Sequence, residues 1–475
     1  MSLNMFGFLW NITKLQYLSV YTWMNYKLTG QVSLPLIKKC KNEILNSGFV
    51  IIKLCQWSLP RLHLIYNLEN EAWFKELEHV YDNCYIHDKN YTKELYTMTT
   101  GVEFDKKYKI LNVVASGSIG QVYKVRDKET QQIKALKCKH PGTNLHYKLS
   151  IFIIRAGSLF LTSIKRIHYR IFPVDLETFF SSLNAQVYLS NEANNLTKMY
   201  DNFKENEYIL VPKLYEYNDD ILVMEYIEGI KYQDLNISNN NKGKISFLLF
   251  LLLRQMIVVD KFVHGDLHKG NWKVVIDTSQ KETKYKIVLY DTGFCLSFDF
   301  MTKIFEAIEE NNTDKIAGIS PYIITDVFNR DIGAIKKIIS SDMQKHFVRP
   351  IGNKDLINSV LITCKENGFI LEGFFISMAI VLEQVSSLFD EFLINKNTEI
   401  RNMQLTDDRE IFTEVMLKKD YPDVISFCQT YDIFPKLVEY YYKRIEKEGA
   451  DMQRTSIFEG SDFSDIIDTS LALMD

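Results

Sequence analysis

The chain has 475 residues, of which 46% are apolar and 24% charged, and this ordinary globular composition excludes disordered, collagen-like and disulfide-scaffold classes. Lysine plus arginine (56) nearly balances aspartate plus glutamate (60), so at a net charge of −4 we expect no nucleic-acid partner. The length suggests about two to four domains or lobes.

The N-terminal segment is basic and aromatic: the first 42 residues contain five lysines and no acidic residue. This fits an organelle-targeting or membrane-surface segment, and it fits equally a plain helix packed on the main body. The longest apolar run, residues 247–253, is too short to cross a bilayer, since a spanning helix needs about 20 residues. We therefore predict a buried helix there, no transmembrane segment, and an intracellular protein of unassigned compartment.

Residues 109–138 are predicted to form three short antiparallel strands. The turn between the first two reads ASGSIGQV, which matches the last two glycines and the valine of the loop motif G-x-G-x-x-G-x-V. Backbone N–H groups in such a turn can approach phosphates. A plain hairpin turn is the alternative. The predicted nucleotide contacts are Ala115, Gly117, Ser118, Gly120 and Val122.

Lys137 ends the third strand, and it resembles the lysine of the V-A-I-K element that contacts the α- and β-phosphates. Downstream, residues 176–187 predict an amphipathic helix that continues or repeats to Phe203. On that helix Glu192 shares a face with the apolar residues that follow it, and an unpaired carboxylate there would be costly. We therefore predict an ion pair between Lys137 and Glu192, as in a kinase fold.

A second strand pair is predicted at residues 213–217 and 221–227, around a turn at 218–220. The end of this pair resembles a hinge in which backbone groups of Glu225 to Ile227 meet adenine. An ordinary strand end is the alternative.

The most specific element is VHGDLHKGN, at residues 263–271. Asp266 and Asn271 are five apart, as in H-R-D-x-x-x-x-N, and after a predicted hairpin Asp291 takes the place of the aspartate of D-F-G. Phosphoryl transfer needs oxygen ligands for Mg²⁺ and a carboxylate near the attacking oxygen. We predict Asp266 as a catalytic residue together with the lysine–glutamate pair, Asn271 and Asp291 as Mg²⁺ ligands, and ATP as the cofactor.

The elements together predict an α+β, bilobal protein-kinase-like fold. It has a small β-rich N-lobe with a helical N-terminal extension and inserted helices, and a large, mostly helical C-lobe whose apolar runs include residues 374–393. The expected segments are the extension at 1–100, the N-lobe at 101–230, the C-lobe at 231–447 and an acidic, solvated tail at 448–475.

Several motifs resemble the UbiB family, also called the aarF-domain kinase-like proteins, over about residues 50–300. SIGQV at 118–122 and HPG at 140–142 match its alanine-rich loop and the segment after its strand lysine, and NEANNL at 191–196 is similar to its glutamate helix. KLCQ at 53–56 looks like the family signature K-x-G-Q, with Cys55 in place of glycine.

The resemblance implies an atypical kinase or ATPase that binds ATP with Mg²⁺ and supports isoprenoid-quinone or lipid metabolism, with an isoprenoid or phenolic lipid and a membrane surface as partners. It also implies a lid: Lys53 and Gln56, one turn apart at a buried helix end, would point into the cleft and exclude peptides. The chain departs from the family pattern at Gly117, which is usually alanine, at the residues before Glu192, and at Thr292, which replaces the phenylalanine of D-F-G.

Two other functions are open. Residues 264–268 also resemble the loop of aminoglycoside and choline kinases, which are small-molecule phosphotransferases. A pseudokinase scaffold would bind nucleotide without turnover, although retention of every predicted catalytic and metal-binding residue argues against it.

Overall fold

The structure is a computed structural model that describes residues 5–66, 71–78, 86–160, 176–206, 208–254, 260–279 and 283–297, with single residues and short runs up to 385. The predicted tail at 448–475 and most of the apolar run at 374–393 lie outside the described residues. The chain divides into two compact units. The first unit is Met1–His168, Asp175–Thr197 and Pro212–Tyr226, and the second is Tyr169–Val174, Lys198–Val211 and Ile227–Asp475.

The described helices are α1 (Met5–Thr29), α2 (Leu34–Asn46), α3 (Phe49–Tyr66), α4 (Ala72–Glu78), α5 (Lys89–Thr100), α6 (Phe104–Lys107), α7 (Thr143–Phe160), α8 (Leu176–Val187), α9 (Leu189–Phe203) and α10 (Asn239–Arg254). The described strands are β1 (Tyr108–Ser116), β2 (Gly120–Asp127), β3 (Ile133–Lys139), β4 (Ile209–Leu210), β5 (Leu214–Tyr217), β6 (Ile221–Glu225), β7 (Phe262–His264), β8 (Trp272–Asp277), β9 (Lys284–Leu289), β10 (Cys295–Ser297), β11 (Ile324–Asp326) and β12 (Phe369–Leu371). This mixture of helices and mostly antiparallel strands confirms the predicted α+β class.

The N-terminal segment forms a long helix, α1, that packs on α2; the Asn11 side-chain amide donates to the Asn46 carbonyl at 2.7 Å. None of the described helices is both long and apolar enough to cross a membrane. The buried helix end predicted near Lys53 is the start of α3, because Phe49 and the three residues after it are buried. Beyond Trp57 the helix continues through Pro60 to its last residue.

The sheet of the first unit has five strands in the order β1-β2-β3-β6-β5, all antiparallel, so both predicted strand pairs are confirmed. One face packs against α5 and α6. The buried cluster on that face comprises Leu95, Tyr96, Phe104, Tyr108, Tyr123, Val125, Leu136, Cys138, Ile221 and Val223. Successive side chains of a strand point to opposite faces, so Lys137, between Leu136 and Cys138, points to the other face.

A second apolar cluster joins the β1–β2 turn to helices α3, α7 and α8. Its members are Phe49, Val50, Ile119, Ile151, Phe179, Phe180, Leu183 and Val187. The Trp57 and Phe179 rings lie 5.3 Å apart at its edge. Ile119 lies in the turn itself, so α3 and the turn share one core.

The second unit contains β4-β9-β8, β7-β10 and β11-β12 sheets. The predicted hairpin is confirmed, since β8 and β9 pair antiparallel from Trp272↔Leu289 to Asp277↔Lys284. The predicted helix over residues 247–253 is also present, but α10 begins earlier, at Asn239. Its start is stabilised by Ser238, whose hydroxyl and carbonyl accept from Asn241 and Lys242 N–H at 3.3 and 3.0 Å.

Candidate active site

The glycine-bearing turn is tight. The Gly117 N–H donates to the Gly120 carbonyl at 2.9 Å, directly inside the paired residues Ser116 and Gln121. A Cβ on Gly120 would come within 2.7 Å of the Cys138 carbonyl oxygen, closer than side chains approach. At Gly117 a Cβ would meet, among the described residues, the Gly120 carbonyl at 3.6 Å, an ordinary contact. The departure from alanine at Gly117 therefore leaves the turn geometry unaffected, whereas the sheet requires Gly120.

Three residues predicted to contact nucleotide form one row across the sheet. Ala115 pairs with Val122, Val122 with Lys137, and Lys137 with Leu222, so the four side chains lie on the same face of β1, β2, β3 and β6. The strand register thus places the predicted phosphate-binding lysine beside the valine that follows the turn.

The predicted ion pair is present on that face. Lys137 Nζ lies 2.8 and 2.7 Å from Glu192 Oε1 and Oε2, and the two residues are only 9% and 4% exposed. Glu192 sits in the first turn of α9, where the helix dipole favours a negative charge. The residues that follow it on the same face, Leu196 and Met199, are buried as predicted.

A hairpin tip that reads as a plain turn in the sequence binds both the strand and the helix that carry the pair. The Asp219 carbonyl accepts from the first N–H of α9, that of Leu189, at 3.1 Å. The next residue, Asp220, binds the end of β3 through its carboxylate, 2.8 Å from Lys139 Nζ, and through its carbonyl, 3.0 Å from Lys139 N. Asn218 closes the turn by accepting from two backbone N–H groups. The tip therefore fixes the lysine strand and the glutamate helix together.

The predicted lid residues lie on α3, three positions apart and both half-buried. Gln56 Nε2 donates to the Val80 carbonyl at 3.4 Å. Between them, burial raises the pKa of the Cys55 thiol to about 12, so this substitute for glycine is an uncharged side chain. Phe49 and Val50 of α3 share an apolar core with Ile119 of the β1–β2 turn, so α3 packs against this turn. The family resemblance also implies that this helix lies over the turn.

The predicted hinge follows β6. Glu225 N–H donates to the Lys213 carbonyl at 2.8 Å, and its carboxylate accepts from Lys213 N at 3.3 Å. Ile227 begins the second unit, and its carbonyl accepts from the Tyr290 hydroxyl at 2.7 Å.

The loop after β7 is built around His264, which is fully buried. Its Nε2 lies 2.9 Å from the Tyr290 carbonyl and its Nδ1 lies 3.3 Å from Asp266 N. Because a carbonyl only accepts, Nε2 carries the proton and Nδ1 accepts from the Asp266 N–H. Gly265 lets the loop pass under Phe294, whose ring would lie 2.7 Å from a Cβ there. The result is a fixed backbone beneath the Asp266 carboxylate, which remains partly exposed, with His268 Nε2 3.7 Å away.

The end of this loop, at Asn271, is hydrogen-bonded to Tyr290, the residue before Asp291. The Asn271 amide nitrogen donates to the Asp266 carbonyl at 2.9 Å, and its own carbonyl accepts from Tyr290 N at 2.8 Å. Asp291, which follows Tyr290 directly, is exposed and has a φ of 50°, a left-handed conformation that non-glycine residues adopt rarely. Tyr290, which binds to both the Asn271 and Ile227 carbonyls, was not identified as a site residue from sequence.

Residues 79–320, about half of the chain, match the model of the ABC1 atypical kinase-like domain. The chain belongs to the ABC1 atypical kinase-like family. The region of the family match contains every predicted site residue except Lys53 and Gln56. The predicted relationship to UbiB and aarF-domain proteins is confirmed by this match and by the names of the relatives.

The chain is 29% identical to the probable serine/threonine-protein kinase abkC of Dictyostelium discoideum, over 50% of this chain and 34% of the relative. It is 24% identical to a mitochondrial ABC1 family protein of Schizosaccharomyces pombe, over 74% of this chain and 52% of the relative. With the probable protein kinase UbiB of Shewanella woodyi the identity is 24%, over 57% and 49%. The chain thus spans about half, or less, of the length of these curated relatives.

A solved structure of Rv3197 with erythromycin, from Mycobacterium tuberculosis, is similar with a TM-score of 0.43 and 16% identity. The similarity covers 71% of this chain and 87% of that chain.

Proposed function

We propose that this ABC1-family chain is a Mg²⁺-dependent atypical kinase or ATPase that acts on ATP. The observation that carries the proposal is the buried ion pair between Lys137 and Glu192. A buried charge pair is a costly feature whose contribution to stability is small or negative when compared with apolar residues of similar size. Its position in register with Val122, next to the glycine-bearing turn, supports a role in binding phosphates.

The residues of the two units have different roles in the proposed reaction. In the first, Lys137 binds phosphate oxygens, Glu192 orients the lysine, and N–H groups of the turn approach the phosphates. In the second, the Asp266 carboxylate accepts the proton of the attacking hydroxyl or water. When bound, Mg²⁺-ATP supplies the transferable phosphoryl group and the cation that neutralises its charge.

The second unit also offers ligands of the right type for Mg²⁺. The Asn271 amide nitrogen already donates to Asp266, so the amide oxygen is the group presented to a cation, and Asp291 adds an exposed carboxylate. Mg²⁺ prefers such oxygen ligands and is held by one or two carboxylates plus waters and phosphates.

We extend the proposal to a lipid acceptor at a membrane surface, in isoprenoid-quinone or lipid metabolism. It is supported by α1, which contains no acidic residue and exposes large apolar side chains on more than one face of the helix. They include Trp10, Tyr17, Val20, Trp23 and Leu28, each between 56% and 84% exposed. Tryptophan and tyrosine favour the lipid–water interface, so these exposed rings fit a membrane surface.

The proposal is tested by thermal denaturation of the purified chain with ATP, with and without Mg²⁺. We expect Mg²⁺-dependent stabilisation of the wild type, and loss of that Mg²⁺-dependent part in Asp291→Ala. The matched control is Asp234→Ala, an exposed aspartate of the same unit, which should keep the full shift. An unchanged shift with ATP and Mg²⁺ in Asp291→Ala would contradict the assignment.

The acceptor is tested by ADP release in the presence of vesicles containing phenolic or isoprenoid lipids, with choline and an aminoglycoside as comparison substrates. Stimulation by the lipids supports the proposed acceptor. Stimulation by the amino compounds alone would favour the small-molecule phosphotransferase, and Mg²⁺-dependent binding without ADP release would favour the pseudokinase.

A further inference from the structure

A buried row of polar side chains runs from α5 to the β1–β2 turn. His140, which follows β3, places Nε2 2.9 Å from the Gly117 carbonyl and Nδ1 2.7 Å from Nδ1 of His87. His87 Nε2 lies 2.7 Å from the Thr92 hydroxyl, which lies 3.0 Å from the Tyr123 hydroxyl. We call Thr92, His87 and His140 the histidine bridge.

The bridge is sealed from solvent. Thr92, His87 and His140 are 0%, 3% and 8% exposed, and the two imidazole rings meet edge to face with centroids 4.9 Å apart. The backbone of His87 is fixed by Gln121, whose side-chain carbonyl accepts from the His87 N–H at 2.9 Å. Buried polar groups of this kind act as a unit, because each depends on its neighbour for a hydrogen-bond partner.

The contacts fix the direction of both hydrogen bonds that the His140 ring makes. The Gly117 carbonyl can only accept, so His140 carries its proton on Nε2, and its Nδ1 must accept when the ring is neutral. His87 therefore carries its proton on Nδ1 and donates it to His140. Its Nε2 faces the Thr92 hydroxyl, which also bonds to the Tyr123 hydroxyl. With both rings neutral, the protons of His87 and His140 are both directed toward the turn.

The electrostatics keep both rings neutral, as this arrangement requires. Burial, together with the neighbouring His140, lowers the pKa of His87 to about 4, although Asp88 opposes the shift. Burial also lowers the pKa of His140, although its bond to the Gly117 carbonyl opposes the shift.

His140 holds the turn at two points. Its ring donates to the Gly117 carbonyl, and its backbone N–H donates to the Ile119 carbonyl at 2.9 Å. A peptide unit is planar and trans, so the N–H of Ser118 points opposite to the Gly117 carbonyl. Fixing that carbonyl toward His140 therefore orients the Ser118 N–H away from the sheet core, as a phosphate donor requires.

We propose that His140 and His87 are positioning residues for the phosphate-binding turn, with the histidine bridge setting the orientation of the Gly117–Ser118 peptide. The inference rests on the proposed function in one respect: it assumes that the turn binds phosphates. The effect of the histidine bridge on the orientation of the turn does not depend on the proposed function.

The test compares three variants of the full chain. His140→Leu removes the bond to the turn, His140→Gln keeps an N–H donor at the position of Nε2, and His146→Gln changes a half-buried histidine of α7 outside the bridge. Two properties are measured: hydrogen–deuterium exchange of the 115–120 segment without nucleotide, and the dissociation constant for Mg²⁺-ADP. Histidine ¹⁵N shifts in the wild type report which ring nitrogen carries each proton.

We expect the turn amides to exchange about fivefold faster in His140→Leu, with near wild-type exchange in His140→Gln and His146→Gln, since one lost hydrogen bond corresponds to about 1 kcal/mol. Mg²⁺-ADP should bind about three- to tenfold more weakly to His140→Leu, with recovery in His140→Gln. The ¹⁵N shifts should show Nδ1–H for His87 and Nε2–H for His140.

Equal exchange in the wild type and a folded His140→Leu would overturn the inference, as would equal defects in His140→Leu and His140→Gln. The opposite tautomers would overturn it too. A wild type that does not bind Mg²⁺-ADP would contradict the proposed function alone, because the exchange and ¹⁵N measurements still decide whether the bridge positions the turn.

Discussion

Lys137 and Glu192 form a buried ion pair, an arrangement that is costly compared with apolar residues of the same size. Both charged groups are buried away from solvent, and the lysine ammonium donates to the two carboxylate oxygens at 2.7–2.8 Å. An apolar pair of the same size would fill this space at no desolvation cost, so the charges are best explained by a third, anionic participant. The fixed hairpin tip of Asp219 and Asp220 keeps the pair in place.

We expect Lys137→Ala to lower the free energy of unfolding by about 3–5 kcal/mol, because it leaves the Glu192 carboxylate buried without its partner. Nucleotide affinity should be lost with it. The double variant Lys137→Met, Glu192→Leu should recover most of the stability, since apolar residues replace both charges, but none of the affinity. Urea unfolding and Mg²⁺-ADP titration measure the two effects separately. Wild-type unfolding and affinity in Lys137→Ala would reject the pairing.

At the scale of elements, the β1–β2 turn is constrained from three sides. Gly120 lies against β3, Ile119 is anchored in the core of α3, α7 and α8, and the Gly117 carbonyl is bound by His140. The two glycines are therefore under different structural constraints. Gly120 is required by the close approach of two strands, whereas Gly117 lies in open geometry that also suits the alanine of other family members.

Alanine substitutions at these two positions should therefore have different effects on stability. Gly120→Ala places a methyl group 2.7 Å from the Cys138 carbonyl, so β2 and β3 must move apart, and overpacking of this kind costs about 1–3 kcal/mol. Gly117→Ala is the matched control and should unfold within about 0.5 kcal/mol of the wild type. Chemical unfolding of both variants measures the difference. Equal stability of the two would show that the strands tolerate the Cβ.

At the scale of the whole molecule, sequence predicted the parts whose signals are local. Short apolar segments bounded by turns identified β1 to β3, and helical spacing placed Glu192 on a buried face, so the ion pair could be deduced from the cost of burying an unpaired carboxylate. The histidine bridge could not be found this way, because His87 and His140 are 53 positions apart and neither lies in a periodic pattern that reveals its partner. Asp219 and Asp220 read as ordinary turn residues for the same reason. Their roles depend on which strand and helix the fold places beside them.

We expect the lid residues on α3 to affect which phosphate acceptors the whole chain admits. Helix α3 shares a core with the turn, and we propose that its residues Lys53 and Gln56 keep a polypeptide from the phosphates while admitting a small acceptor. We expect the wild type not to phosphorylate generic protein substrates, and Lys53→Ala to show altered ATP turnover or new self-phosphorylation. Lys75→Ala, an exposed lysine of α4, is the control and should behave as the wild type. Transfer of labelled phosphate to casein-type substrates and to the chain itself measures both effects. Robust peptide phosphorylation by the wild type, unchanged in Lys53→Ala, would show that α3 has a structural role only.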